Sequence, residues 1–268
     1  MVKEYKIEKR LLTKTPDNDN IIPEDFNLIM TGAATMIVIN YAGHSGFSVE
    51  SDTHMLIFDY SEGLIPKPVK KKKIYVFISH AHEDHFNPDI FGICSEYSNV
   101  KYIVSYDIGS KILDDYGIED YVIAEPGMDI RLESRFRLKV LPSTDCGVAF
   151  LAGCSGRNIF HAGDLNLWLW EGMCESEVYD MTEKFREYTK GLKNFWIDTA
   201  FLPLDTRQGM YSYLGFDYYM KHFRIKNAIP MHFSGSSKIC DDFLADPISR
   251  DYKHKIMCVE PGGKLSLN

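Results

Sequence analysis

The chain has 268 residues, 45% of them apolar, which is enough to bury a substantial core in one compact unit. Its 38 acidic and 30 basic residues leave a formal net charge of −8, so there is no cationic surface for neutralising phosphates and a nucleic-acid partner is not expected. No apolar run reaches the roughly 18 residues that span a bilayer, so no membrane partner is expected; six scattered cysteines, with no CxxC pair and no signal peptide, fit reduced thiols in a cytoplasmic protein.

Residues 1–35 are polar, carry the turn cluster TPDNDN and hold only short apolar pieces. They are expected to form an extension laid over a single domain of residues 36–268. Strand-like runs follow in MIVINYA, GFSVES, HMLIFDY and IYVFISH, the last ending on His80. NPDIFGICSEY predicts a helix with Asn87 as its cap and Pro88 in the first turn. KYIVS reads as a strand, and DIGSKILDDYG as a second helix capped by Asp107 and stopped by Gly117. The segments DIRLE, FRLKVLP, GVAFLAG and RNIFHAGD return to strand character. Over residues 177–192, Val178, Met181, Phe185, Tyr188 and Leu192 recur at helical spacing. The strand FWIDTAFLP, a helix around YLGFDYYMKHF, the strand AIPMHF, a helix near DDFLADPISR and the strands KIMCV and KLSL close the chain. Two groups of strands, each followed by helices, predict an α/β (α+β) arrangement of two packed sheets with helices outside. The lysine run Lys67 and Lys70 to Lys73 reads as a solvated loop before a buried strand, in keeping with the acidic balance.

SHAHEDHF, residues 79–86, holds three of the nine histidines. Residues two apart on an extended segment face one side, so His80 and His82 can address one ion as the strand runs out. Asp84 and His85 lie where the chain turns and can address a second ion nearby. Imidazole with carboxylate suits Zn²⁺ first, with Fe or Mn compatible, rather than Ca²⁺ or Mg²⁺. Asp164, in a Gly-Asp turn after RNIFHAGD, can bridge two cations, and His232, at the end of AIPMHF, can complete the second shell. His161 fits equally a ligand and a side chain packed behind the site.

The order HxHxDH, then a strand ending in GD, then a strand ending in one His, resembles the metallo-β-lactamase superfamily over most of the chain from about Ile37. NYAGHSGFSVES and HMLIFDY resemble the opening hairpins of its branch containing the ascorbate-phosphate lactonases. The resemblance implies a four-layer αββα sandwich with metals at one edge of the sheets. It makes His80 and His82 ligands of a first ion, Asp84, His85 and His232 ligands of a second, and Asp164 the bridge. It also places His44 at the mouth of the pocket and Asp59 behind the metal loop.

One position departs from that pattern. A third first-site histidine is implied just before GVAFLAG, but the chain reads LPSTDCGVAF there, with no histidine between His85 and His161. Ser143 stands nearest the expected place; Asp145 offers a carboxylate and Cys146 a thiolate. The alternative for Asp145 is a turn in which it caps backbone amides. The resemblance therefore implies two divalent ions, with the first site weakly held or empty.

The activity implied is hydrolysis of an ester, lactone or phosphoester of a small molecule by metal-activated water, with Asp84 and Asp164 orienting the nucleophile and His44 acting on the substrate oxygen. Arg207 suits a carboxylate or phosphate group and Trp168 a roof over the site; the competing readings are a surface ion pair with Asp205 and plain packing. A mononuclear iron sulfur-dioxygenase-like enzyme and a non-catalytic metal-binding sensor or scaffold are the alternatives. The flavodiiron branch carries Glu at the position of His82, and the RNA-processing branch has a large insertion where only 68 positions separate Asp164 from His232. A β-lactamase proper would carry an export signal.

Overall fold

The computed structural model describes residues 36–67, 72–233 and 237–268. The expected extension over residues 1–35, and Lys70 and Lys71 of the lysine run, lie outside the described residues.

Thirteen strands among the described residues form two sheets. The first contains β1 (Ile37–Gly43), β2 (Gly46–Glu50), β3 (His54–Phe58), β4 (Lys73–Ile78), β5 (Val100–Ser105), β6 (Tyr121–Ala124) and β13 (Lys264–Leu267), in the order β13-β1-β2-β3-β4-β5-β6. Its β13, β1, β2 and β3 pair antiparallel and β3 to β6 run parallel. The second contains β7 (Asp129–Glu133), β8 (Phe136–Pro142), β9 (Val148–Cys154), β10 (Arg157–His161), β11 (Trp196–Pro203) and β12 (Arg224–Met231), in the order β12-β11-β10-β9-β8-β7. There β10, β11 and β12 are parallel and the rest antiparallel.

The layering follows from strands that are apolar on both faces, as central strands covered on two sides must be. On β4, Tyr75 and Phe77 enter the core between the sheets, while Ile74, Val76 and Ile78 enter a second cluster with Ile90, Phe91 and Leu113. These last three come from α1 (Asp89–Cys94) and α2 (Ser110–Asp115), which cover the outer face of the first sheet. The second sheet is covered by α3 (Glu175–Thr189), which packs on β8, and α4 (Leu214–His222), which packs on β11 and β12 and meets Phe185 of α3 through Tyr218 and Tyr219. The result is the αββα sandwich that the strand and helix grouping predicts.

Several local expectations are corrected. Gly109, not Asp107, precedes α2; the Asp107 carboxylate instead accepts a hydrogen bond from the Ala81 amide at 3.2 Å, so it serves the metal loop. Pro88 precedes α1, and Asn87 acts one residue earlier, its Oδ1 accepting from the Asp89 amide at 2.9 Å. KIMCV forms no strand and meets β12 through one bridge, Ala228 to Ile256; β13 pairs with β1 instead. The four-residue β6 has no clear apolar alternation and escaped prediction. The last helix, α5 (Lys238–Ala245), stops before Asp246-Pro247, because proline disfavours helical geometry at the preceding residue. No helix among the described residues is long and apolar enough to cross a membrane. Lys72 and Lys73 of the basic run pair with Glu50 and Glu133, consistent with an ordinary surface role.

The two sheets are stitched together at one edge by the start of β9. The Val148 amide donates to the Ser79 carbonyl at 2.9 Å, and Gly147, at φ +63°, lies so close that a Cβ would sit 1.9 Å from that same oxygen. Gly147→Ala is therefore expected to destabilise the protein by at least about 2 kcal/mol, through both the clash and the left-handed backbone. Gly109→Ala, also at positive φ but in open space, should cost about 1 kcal/mol. Denaturant titration of both variants checks this; equal losses would contradict the stitch.

Candidate metal centre

The chemistry-bearing residues gather at the carboxyl ends of the parallel strands, where side chains from neighbouring loops converge. Asp59 follows β3, His80 to His85 follow β4, Asp164 follows β10, Asp205 follows β11 and His232 follows β12. His44 reaches the same place from the tip of the β1–β2 hairpin, where Gly43 pairs with Gly46 and His44 adopts φ +45°.

Asp59 is fully buried and organises the loop from behind. It accepts from the Ser79 amide at 2.7 Å, the Ser79 hydroxyl at 2.5 Å and His85 Nδ1–H at 2.8 Å. Because the Ser79 hydroxyl is spent on Asp59, its oxygen receives the proton of His80 Nδ1, 3.0 Å away. Both buried imidazoles are thereby turned so that Nε2 faces the site. On the far wall, buried Asp205 accepts from His232 Nδ1–H at 3.1 Å, which turns that Nε2 inward too. Ligand histidines are commonly oriented by such outer carboxylates.

The inward-facing atoms meet at Asp164, which is 4% exposed. Its Oδ1 lies 3.1 Å from His85 Nε2 and 3.2 Å from His232 Nε2, and its Oδ2 lies 3.5 Å from His80 Nε2. Asp164 Oδ1, His85 Nε2, His232 Nε2 and His44 Nε2 are buried, yet none makes an aligned hydrogen bond. His80 Nε2, by contrast, is hydrogen-bonded to Nδ1 of the exposed His82 at 3.0 Å. Buried lone pairs left facing one another are costly unless a positive charge sits among them. Burial opposes charge on His85 and His232, but Asp164 with Asp59 and Asp205 outweighs it and raises both, His232 to about 9. Burial also pushes the Asp164 carboxyl up, and the same imidazoles hold it well below the usual range. The pocket thus stabilises added positive charge, which protons or divalent cations can supply.

Donor atoms fall into groups within 4.8 Å of one another: His44, Asp84, His85 and His232; His80, His85 and Asp164; His80, His82 and Asp84; and His82, Asp145 and Cys146. Nitrogen and carboxylate donors at this spacing fit divalent transition-metal binding. All six residues expected as ligands from HAHEDH, Asp164 and His232 are brought together. His44, its side chain 12% exposed, is placed at donor distance from Asp84, His85 and His232, with Nε2 3.3 Å from Asp84 Oδ2. That imidazole draws the Asp84 carboxyl well below the usual range, against partial burial.

His161 is settled as a packed side chain. It is fully buried, stacks on Phe58, donates from Nε2 to the Ser45 carbonyl at 2.9 Å and accepts the Gly163 amide on Nδ1 at 3.2 Å, so both nitrogens are used. Asp145 does not cap the STDC turn: the Asp145 amide donates to Ser143 Oγ at 3.2 Å, so Ser143 does. Asp205 forms the ion pair with Arg207 that the sequence offered, at two points, and also holds His232, a role that the sequence did not suggest. Opposed by burial, these partners lower its carboxyl to about 2.

Over the metal residues lies a cavity of about 300 Å³, lined by His82, Asp84, Thr144, Asp145, Asp164, Trp168, Trp170, Met181, Arg207 and His232. Trp168 is mostly buried, donates from its indole to the Asp164 carbonyl at 2.9 Å and stacks parallel to the more exposed Trp170 at 6.0 Å. The Arg207 side chain is 56% exposed, fixed on one side by Asp205.

No family model matches the chain. It is 22% identical over 253 residues to a UPF0173 metal-dependent hydrolase of Pyrococcus abyssi, covering 87% of this chain and all of that one. Among solved structures it resembles Igni18, a metallo hydrolase from Ignicoccus hospitalis, with a TM-score of 0.63 at 20% identity over 87% of this chain and 99% of the other. It also resembles the metallo-β-lactamase fold protein YhfI from Bacillus subtilis, with a TM-score of 0.58 at 13% identity over 88% and 100%. The fold is thus the metallo-β-lactamase fold. With the HAHEDH, Gly-Asp and His232 positions in place, these likenesses support a place for the chain in the metallo-β-lactamase superfamily.

His161→Phe tests the division between packed and metal-facing histidines. It should leave the metal content measured by plasma mass spectrometry unchanged, while the orphaned Ser45 carbonyl and Gly163 amide cost about 1–3 kcal/mol of stability. Loss of metal from the folded variant would contradict it.

Proposed function

We propose that this protein, a metal-dependent hydrolase like its curated relatives, cleaves an ester, lactone or phosphoester of a small molecule carrying an anionic group. The carrying observation is the set of buried, unpaired donor atoms on His85, Asp164 and His232, with His80, His82 and Asp84 beside them. His80 and His82 would hold one ion, Asp84, His85 and His232 another, and Asp164 would bridge, with zinc the cation best suited to the donors. Such ions, when bound, bring the ionisation of water toward neutral pH and polarise a carbonyl or phosphoryl group.

The protein's own groups do the rest. Asp84, partly exposed to the cavity and held in its anionic form by His44, orients the attacking water. His44, 3.3 Å from Asp84, is placed to donate a proton to the leaving oxygen or to bind the substrate oxygen. Asp205 leaves the outer guanidinium face of Arg207 free to take a carboxylate or phosphate of the substrate at the cavity rim. Trp168, Trp170 and Met181 supply the apolar part of the cavity lining and limit water there. Acidic net charge and the small cavity favour a small molecule over a nucleic acid. A cytoplasmic setting is in keeping with six free cysteines.

Asp84→Ala should lower kcat/KM by at least about 10²-fold, with folding unchanged because the side chain is 43% exposed. A substrate screen over phosphodiesters, lactones and esters, with and without chelator, supplies the assay. Activity that survives both chelation and Asp84→Ala would overturn the proposal.

A further inference from the structure

The segment Ser143-Thr144-Asp145-Cys146-Gly147 is held from both ends against the metal residues. Thr144 Oγ1 donates to the Asn166 carbonyl at 2.6 Å and accepts the Asn166 amide at 3.0 Å, tying the segment to the loop that carries Asp164. Lys184 reaches from α3 to the Thr144 carbonyl at 2.8 Å. At the other end Gly147 is pressed onto the Ser79 carbonyl beside His80, with no room for a side chain. Asp145 and Cys146 are thus presented to His82, and donor atoms of the three lie within 4.8 Å of one another.

Neither side chain is engaged by the turn. The hydroxyl of Ser143 does the capping, and no hydrogen bond to the Asp145 carboxylate exists among the described residues. Burial first, and then the carboxylates of Asp145, Asp107 and Asp164 against Lys184, push the Cys146 thiol up, so without a cation beside it this group stays protonated. His82 has donor atoms in reach on two sides, His80 and Asp84 in one group and Asp145 and Cys146 in another, so an ion held by His82 can draw a donor from the STDC segment where the resemblance implies a third histidine.

We infer that Cys146, with Asp145 beside it, supplies the missing donor, so that the cation at His82 sits in a mixed imidazole, carboxylate and thiolate shell. The thiol proton is released to solvent as the sulfur–metal bond forms. A thiolate favours Zn²⁺ or Co²⁺ over Mg²⁺ and Mn²⁺ at this position. The inference rests on the metal reading of the site but not on any activity.

The test is cobalt substitution of the full chain, stripped with chelator and reloaded with Co²⁺. The wild-type protein should develop a near-ultraviolet sulfur-to-cobalt charge-transfer band. Cys146→Ser and Cys146→Ala, each checked for native circular dichroism, should lose the band and bind the weaker equivalent at least about tenfold less tightly. Asp145→Asn should keep the band. Cobalt bound to wild type without the band, or a band undiminished in both Cys146 variants, overturns the inference and leaves the metal reading standing. No cobalt binding at any ratio overturns both.

Discussion

The arrangement depends on one buried carboxylate. Asp164 is placed where the ends of the two sheets meet, facing the inward nitrogens of His85 and His232 at hydrogen-bond distance but without hydrogen-bond alignment. A cluster of this kind is costly in a protein interior unless positive charge joins it. The surrounding structure makes the cluster unavoidable: Asp59 takes the outer nitrogen of His85, Asp205 takes that of His232, and Ser79 relays Asp59 to His80. Each outer bond fixes a ring and leaves its other nitrogen with only the centre to face.

That geometry explains why both sheets are needed. One supplies the loop after β4 and the carboxylate after β3; the other supplies Asp164, Asp205 and His232. The stitch of β9 to Ser79 and the His161 bond to the Ser45 carbonyl lock the two halves at this edge. Packing between the sheets and site geometry are therefore coupled, and damage to the seam should reach the ligands.

Much of this was legible in the chain. Alternating and continuous apolar runs mark most strands, since both faces of the central ones are buried and the pattern is local. HAHEDH was legible because its donors are consecutive on one strand end. What escaped depends on distant partners. Asp107 looked like a helix cap but serves the Ala81 amide, and Asp205 could not be recognised as the support of His232, because nothing local ties residues 27 positions apart. His161 was ambiguous for the same reason: its two hydrogen bonds are to backbone groups, which leave no mark in the sequence. The STDC segment showed where a histidine is missing, but only the approach of Gly147 to Ser79 reveals that Asp145 and Cys146 face His82.

The central claim is that Asp164 joins two cations at this edge. Metal content of the purified full chain, measured by plasma mass spectrometry after reloading with zinc and removal of excess, tests it directly in wild type and Asp164→Asn. The account predicts about two equivalents in wild type and loss of at least one in the variant, whose amide cannot bridge with full charge. An Asp164→Asn protein that keeps the wild-type complement would contradict it.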